Sequence, residues 1–392
     1  MEKSLNVSTM KIDSNVTPPH KQNNVKYSSL DGLRAYAAVG IVMMHVLANI
    51  EVKPTANVWT ERVLPWFSDF TLLFMIISAF GICCGYYERI KSGLITPGNF
   101  YAKRYQRTWP FFALMVIISF VMEPGWATFC QSFANLTMCF NLLPNPKIEV
   151  IGVGWFLGTV FTFYMLFPFF TFLLDNKRRG WVVLGLSLLF CYLAIHYFSN
   201  PEMVVTKIGR VNIIYSAPFF MKCTPKVLCL TFGVQFIIAG GLVFLYRDVL
   251  QRWTCMHTYV GLAVCVLATV LRLIFPMEAL FVIPDMVVFI LWLIYAIGSH
   301  SVVLNNSIAK YLGGISMEIY LCHMMFYRFV SLFHLERFFD DSNVLYVVTF
   351  AATLIGAICF SHVVKYHAFP FLINFIERNR NKSESNENLI SQ

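Results

Sequence analysis

Charged side chains are scarce in this chain of 392 residues, since Asp, Glu, Lys and Arg together make up only 13% of it. Soluble globular proteins carry about twice that fraction. Hydrophobic residues account for 57% of the sequence, and 38 residues are phenylalanine. This balance excludes an ordinary soluble protein and indicates a polytopic membrane protein.

Other patterns are missing as well. The 11 cysteines are scattered, mostly in apolar segments, without the paired spacing of a zinc site or a disulfide framework, so we expect reduced cysteines and no bound metal. The polar first 27 residues contain no apolar run of a signal peptide, and we expect them to remain as a disordered cytoplasmic tail. No internal repeat of the transporter type is apparent. We therefore predict one membrane domain, residues 28–376, followed by a polar cytoplasmic tail, residues 377–392.

Ten apolar segments have the length of a membrane-spanning helix, and they are centred on about residues 41, 77, 115, 163, 189, 237, 265, 289, 322 and 354. The sequence thus predicts an all-α polytopic membrane helix bundle with about ten transmembrane helices. Two further apolar segments are interrupted by proline and asparagine. We interpret Trp126 to Leu143 as an interfacial or re-entrant segment, and Val211 to Met221 is also too short to span a bilayer.

The basic residues orient this bundle. With the N-terminus inside, most loop lysines and arginines fall on the cytoplasmic side, and the opposite side has about half as many. We expect both termini in the cytoplasm and the bundle in a cell (plasma or inner) membrane. The net charge of +9 then reflects topology and not nucleic-acid binding. Besides the tail lysines, the cytoplasmic set is Arg89, Lys91, Lys103, Arg104, Arg107, Lys177, Arg178, Arg179, Arg247, Arg252, Lys310, Lys365, Arg378, Arg380 and Lys382.

The first apolar segment, Leu30 to Ile50, keeps an arginine and a histidine. Arg34 and His45 are eleven residues apart, so at about 100° per residue they lie within about 20° of one helix face. At about 1.5 Å per residue they are roughly 16 Å apart, which places Arg34 near one membrane surface and His45 near the bilayer centre. Such residues usually serve function, and the alternative is a histidine that hydrogen-bonds within the bundle.

Two other segments carry polar groups in a helical pattern. In the loop NFYAKRYQRTWP, Arg104 and Arg107 share a face and suit a polyanion such as phosphate, or else anchor lipid headgroups. In the ninth apolar segment, Tyr311 to Arg328, a polar stripe faces protein or water instead of lipid, although its histidine also fits an ordinary buried residue. The stripe consists of Ser316, Tyr320, His323 and Tyr327.

Taken in order, these segments resemble acyltransferase family 3, the integral-membrane acyltransferases. The resemblance runs from Leu30 to about residue 370 and rests on LDGLR followed by ten residues and a histidine, FMIISAF, FYAKRYQRTWP, WFLGTVFTFYMLFP and LGGISMEIYLCH. It implies that acyl-CoA, usually acetyl-CoA, is the co-substrate on the cytoplasmic side, with no bound cofactor. It also implies an acceptor hydroxyl on a surface glycan or lipid-linked glycan.

The resemblance also implies roles for individual residues. Arg34, His45 and His323 are implied as catalytic residues, and Arg104 and Arg107 as donor-binding residues. We expect His45 to be the general base and Arg34 its positional or donor-side partner. Direct transfer and an acyl-enzyme remain open, with Ser78 or His45 as relays.

The sequence departs from the family pattern at two positions. Relatives often have a glutamate a few residues after the tryptophan of the fourth segment, where this chain has Val160, so no carboxylate role is assigned there. Ala79 replaces a common glycine beside Ser78. A multi-pass transporter of a small or glycan-related solute is the alternative function, although the missing repeat symmetry disfavours it. A sensor or scaffold would not need all three groups of polar residues.

Overall fold

The computed structural model describes residues 27–140, 150–198, 230–275 and 282–371. Within these ranges all regular secondary structure is helical. The segment Val211 to Met221 and nearly all of the two predicted tails lie outside the described residues. The helices are α1 (Ser29–Asn49), α2 (Trp59–Lys91), α3 (Pro97–Met122), α4 (Trp126–Leu136), α5 (Gly154–Leu173), α6 (Lys177–Phe198), α7 (Leu230–Met256), α8 (Thr258–Ile274), α9 (Val282–Gly298), α10 (Val302–Asn305), α11 (Ser307–Gly314), α12 (Ser316–Ser331) and α13 (Ser342–Phe371).

In the described part of the chain, six helices are long and apolar enough to cross a membrane, namely α1, α2, α3, α5, α7 and α13. Two shorter apolar helices, α8 and α9, accompany them. The all-α membrane bundle predicted from the sequence is therefore confirmed. The count of ten spans stays a prediction.

Polar contacts between helix ends show that helices that follow each other along the chain run in opposite directions. One end of the bundle, which we call the basic end, joins Ser29 to Ser299 by a 3.1 Å hydrogen bond and Lys91 to Asp175 by an ion pair. The other end joins Thr55 to Asn343, Arg272 to Asp285, and Glu123 to Arg328. Each pair closes a gap between two helix termini, as expected for an up-and-down bundle.

A buried ion pair ties together the short helices α8 and α9. The carboxylate of Asp285 accepts hydrogen bonds from Arg272 Nε at 2.8 Å, Arg272 Nη2 at 3.0 Å and Trp66 Nε1 at 2.7 Å. Both charged side chains are less than one-tenth exposed. Because the carboxylate is fully paired, the pair can remain charged away from water.

Helix α1 lies at the centre of the bundle and packs against α2, α9, α11, α12 and α13. Two glycines, one on α1 and one on α11, allow close backbone contacts between α1 and its neighbours. A Cβ atom on Gly313 would lie 2.8 Å from the Cα atom of Asp31 and closer still to its carbonyl, and a Cβ atom on Gly32 would meet the backbone of Leu304. Glycine at both positions therefore lets α1 touch the α10–α11 segment directly.

Two helix boundaries bear on the positions of the histidines. Helix α1 spans Ser29–Asn49, close to the predicted segment Leu30 to Ile50, and His45 is four residues from its end, while its depth in a bilayer stays a prediction. The ninth apolar segment is not one helix, because it breaks at Ile315 between α11 and α12. His323 is therefore the eighth residue of α12, near its middle.

Helix α4 turns back alongside α3. Its eleven residues span roughly 16 Å, too short to cross a bilayer. The side chains of Trp109 and Tyr105 donate hydrogen bonds to the carbonyls of Leu136 and Thr137, so α4 ends beside the middle of α3. The next described helix, α5, also begins beside the middle of α3, against Phe112. This course agrees with an interfacial or re-entrant segment.

Candidate active site

A cavity of about 670 Å³ lies toward the basic end of the bundle, between α1, α2, α3, α5, α11, α12 and α13. Four cationic side chains and one carboxylate line it, so its charge suits an anionic ligand. We call it the basic cavity. Its polar lining residues are Arg34, Ser78, Tyr86, Arg104, Arg107, Thr108, Tyr164, Ser316, Glu318, Tyr320 and Lys365.

Arg34 is held in this cavity from within its own helix. Its Nη1 atom lies 3.0 Å from the Oδ1 atom of Asp31, one turn earlier on α1. A Cβ atom on Gly81 would lie only 3.3 Å from Nη2, so glycine on α2 leaves room for the guanidinium. Arg34 is thus a fixed cation on the cavity wall, and not a contact of His45.

Arg104 is fixed by two tyrosines. Its Nη2 atom donates a 2.8 Å hydrogen bond to the hydroxyl of Tyr86, and its guanidinium carbon lies 4.8 Å from the Tyr86 ring and 5.9 Å from the Tyr164 ring. Arg107, one turn later on α3, is exposed and forms no ion pair with any described residue. Arg104 therefore supplies a preorganised guanidinium, and Arg107 supplies a free one.

Glu318 and Lys365 form an ion pair at the cavity that was not predicted as part of the site. Lys365 Nζ lies 2.7 Å from Glu318 Oε1 and also donates a hydrogen bond to the carbonyl of Gly314. Lys365 belongs to a π-helical turn, Val364–Ala368, and Tyr86 belongs to another, Cys83–Tyr87. Such turns are frequent at functional sites because they shift side chains out of the α-helical register.

His45 and His323 face each other, with ring centroids 5.1 Å apart. His323 is completely buried, and its Nδ1 atom lies 2.7 Å from the carbonyl oxygen of Tyr320. Because a carbonyl only accepts hydrogen bonds, Nδ1 carries the proton and the Nε2 atom of the neutral ring has a free lone pair. That Nε2 atom has no hydrogen-bond partner among the described residues. His323 is therefore suited to accept a proton.

Three aromatic rings line the basic cavity, and one of them also contacts the histidine pair. Phe74, Phe156 and Tyr320 line the cavity, with ring centroids 5.3 to 6.5 Å apart, and we call them the aromatic wall. The Tyr320 ring lies 5.9 Å from the His323 ring, and its hydroxyl donates a 2.9 Å hydrogen bond to the carbonyl of Val153. The histidines do not line the cavity. The predicted residues thus form two adjoining parts.

The profile of a protein family described as an acyltransferase domain matches residues 27–362 of the sequence. That range contains the aromatic wall, both histidines and the three arginines of the basic cavity. The chain belongs to this acyltransferase family. No curated protein and no solved structure matches the chain. The resemblance seen in the sequence is confirmed, and membership favours a membrane acyltransferase over a transporter.

Lys365 lies just beyond the residues that match this acyltransferase family. The position that lacks the expected glutamate does face the basic cavity, because Val160 lines it. The carboxylate in this cavity belongs to Glu318 on α12 instead. The sequence did indicate Glu318, because a glutamate inside the apolar stretch SMEIYLCH is unusual. Lys365 was counted only as a cytoplasmic loop charge. Tyr86 and Tyr164 gave no such signal.

The polar stripe of α12 crosses the acyltransferase from one side to the other. Ser316 and Tyr320 line the basic cavity, and His323 follows beside the Tyr320 ring. Tyr327, at the other end of the stripe, is half-buried and close enough to Glu51 to interact with its charge. One helix face therefore links the cavity, the histidine pair and the opposite end of the bundle.

Proposed function

We propose that this membrane acyltransferase moves an acyl group, most simply acetyl, from acyl-CoA to a hydroxyl of a cell-surface glycan or lipid-linked glycan. The observation that carries the proposal is that a basic cavity and a histidine pair adjoin, since Tyr320 lines the cavity and contacts His323. A polyanionic donor and a neutral sugar hydroxyl need these two different environments.

The basic cavity suits the phosphates of coenzyme A. Arg34, Arg104 and Arg107 present planar guanidinium groups, and each charge-assisted hydrogen bond to a phosphate contributes about 1.5 to 3 kcal/mol. The cavity volume of about 670 Å³ is in the range of small-molecule sites. The basic loops support an orientation with this end of the bundle in the cytoplasm, where acyl-CoA is available.

The histidine pair suits proton removal from the acceptor. The free Nε2 atom of His323, in place of the predicted base His45, takes the hydroxyl proton, and the hydroxyl oxygen forms a bond to the thioester carbonyl carbon. The bond from that carbon to sulfur then breaks, and the departing thiolate of CoA takes up a proton. His45 lies beside the reacting atoms and positions the acceptor or shares the proton. Arg34 acts on the donor side, because it lines the basic cavity.

The acceptor approaches from the end of the bundle opposite the basic cavity. Tyr327 marks that entrance, and His323 lies one turn further in along the same helix face. If His45 or Ser78 carried the acyl group in between, a burst of CoA release before glycan acylation would show it.

The proposed function is tested with membranes that contain equal amounts of each variant, labelled acetyl-CoA and the surface glycan of the host cell. We expect the Arg104→Ala, Arg107→Ala double variant to raise the KM for acetyl-CoA at least tenfold. We expect His45→Ala to lose about 10² to 10⁴ in turnover. Lys103→Ala is the matched control, because Lys103 is an exposed neighbour that does not line the cavity. Wild-type kinetics in both site variants would contradict the proposal.

The orientation has its own test. A cysteine introduced at Ser92, near the end of α2, should react with a membrane-impermeant reagent only after the cells are opened. Labelling of that cysteine in intact cells would place the basic cavity outside and remove the cytoplasmic donor from the proposal.

A further inference from the structure

Glu318 has a feature that its ion pair does not explain. Its side chain is only 8% exposed, and Lys365 neutralises one of its oxygen atoms, Oε1. The other oxygen, Oε2, is buried and has no hydrogen-bond partner among the described residues. A carboxylate oxygen buried without a partner is unfavourable, so a group that is absent from the empty cavity would stabilise it.

The position of Glu318 limits which group that is. Glu318 lines the basic cavity together with Ser316 and Tyr320 of α12. Phosphates are repelled by a carboxylate and are matched by the arginines instead. A carboxylate accepts hydrogen bonds only, so its partner is an N–H or O–H donor. The ligand therefore needs a polyanionic part and a neutral part with a hydrogen-bond donor.

We infer that Glu318 Oε2 accepts a hydrogen bond from an amide N–H of a phosphopantetheine arm. This inference rests on the proposed function. In such an arm the amides lie between the phosphate and the thioester, and the arginines, Glu318 and the aromatic wall all line the one basic cavity. Coenzyme A thioesters and acyl carrier proteins both present this arm, so Glu318 selects donors by their amide.

Lys365 is the positioning residue for this carboxylate. Its ammonium binds Oε1 and the carbonyl of Gly314 at the same time, which fixes the carboxylate to the turn between α11 and α12. Oε2 is left as the acceptor. Loss of Lys365 would free the carboxylate to move without removing its hydrogen-bonding oxygen.

The experiment uses the full-length protein in lipid nanodiscs and two donors. Acetyl-CoA has phosphates and amides, and S-acetylpantetheine has amides without phosphates. We expect Glu318→Leu to raise the KM by a similar factor, about tenfold, for both donors with little change in kcat. Arg107→Ala should raise the KM for acetyl-CoA only. An unchanged KM for S-acetylpantetheine in Glu318→Leu would overturn the inference.

A double variant separates donor recognition from simple pairing with Lys365. If Glu318 served only to neutralise that lysine, Glu318→Leu combined with Lys365→Met would restore the wild-type KM for S-acetylpantetheine. We expect the KM to stay high, because the acceptor oxygen is still missing. Recovery in the double variant would overturn the inference. Thermal unfolding of each variant in the same nanodiscs shows whether the fold is retained.

Two further results identify the source of the arm and test the proposed function separately. Faster turnover of acetyl-CoA than of an acetylated acyl carrier protein assigns the arm to coenzyme A, and the reverse assigns it to the carrier protein. Both outcomes support recognition of the arm. A wild-type protein that neither binds nor uses any of the three donors would refute the proposed function itself.

Discussion

Replacing Gly313 by alanine should force α1 away from α11 and disturb the basic cavity. The new Cβ atom would lie 2.8 Å from the Cα atom of Asp31 and closer to its carbonyl, whereas ordinary contacts begin near 3.4 Å. These atoms belong to the backbone and cannot rotate away. Overpacking of this kind costs up to about 3 kcal/mol, and the higher helix propensity of alanine returns up to about 1 kcal/mol. We therefore expect a net destabilisation of about 2 kcal/mol.

The measurement is the free energy of unfolding in mixed micelles, combined with the KM for acetyl-CoA. Gly314→Ala is the matched control, because the nearest atom to its new Cβ would be the Tyr366 hydroxyl at 3.9 Å. Asp31 also holds Arg34, so Gly313→Ala should raise the KM as well as lower stability. If Gly313→Ala proved as stable as Gly314→Ala, the backbone contact between α1 and α11 would be refuted.

Three further predictions concern charge and proton transfer. Asp285→Asn should cost about 3 to 5 kcal/mol in the same unfolding titration, because it leaves the buried Arg272 unpaired; a loss below 1 kcal/mol would contradict this. A hydrogen bond from Lys91 lowers the pKa of Asp175 below its ordinary value of 3.8, so this pair should contribute stability above that pH and lose it as the pH falls further. Stability measured against pH should show a weaker acid loss in Asp175→Asn. His323→Asn keeps an N–H for the carbonyl three residues earlier but lacks the free ring nitrogen, so turnover should fall about 10²- to 10⁴-fold in a folded protein, and wild-type turnover would refute its role as base.

Helical periodicity predicted which polar residues would share a helix face. For Arg104 and Arg107 this was enough to predict that they act on the same side of their helix. Arg104 and Arg107 are one turn apart on α3, and both line the cavity that also contains Arg34. Loop charge gave the second element, because it put Arg104 and Arg107 at one end of the bundle, while the helical rise put Arg34 near a membrane surface. No property of the sequence showed that α1 and α3 would border the same cavity, since that depends on which helices pack together.

The first apolar helix was predicted to within one residue at each end, but the break in the ninth apolar segment was not predicted. No proline signals that break at Ile315, between α11 and α12. Even so, the structure brings His45 and His323 together. Glu318 was missed for a different reason: a family pattern with its acid on another helix directed attention to Val160.

The aromatic wall also bears on the hydrolysis of the acyl donor when no acceptor is bound. An acyl thioester is an activated compound. Water that reached the thioester beside a histidine would hydrolyse it, and the acyl group would be lost without transfer to the acceptor. Tyr320 lines the basic cavity, packs against Phe74 and Phe156, and contacts the His323 ring. We therefore expect these rings to hold a loaded donor apart from the histidines until they move. Slow release of free acetate in the absence of an acceptor would then measure how often these three rings move apart. Smaller side chains at Phe156 should increase that leak before they impair transfer.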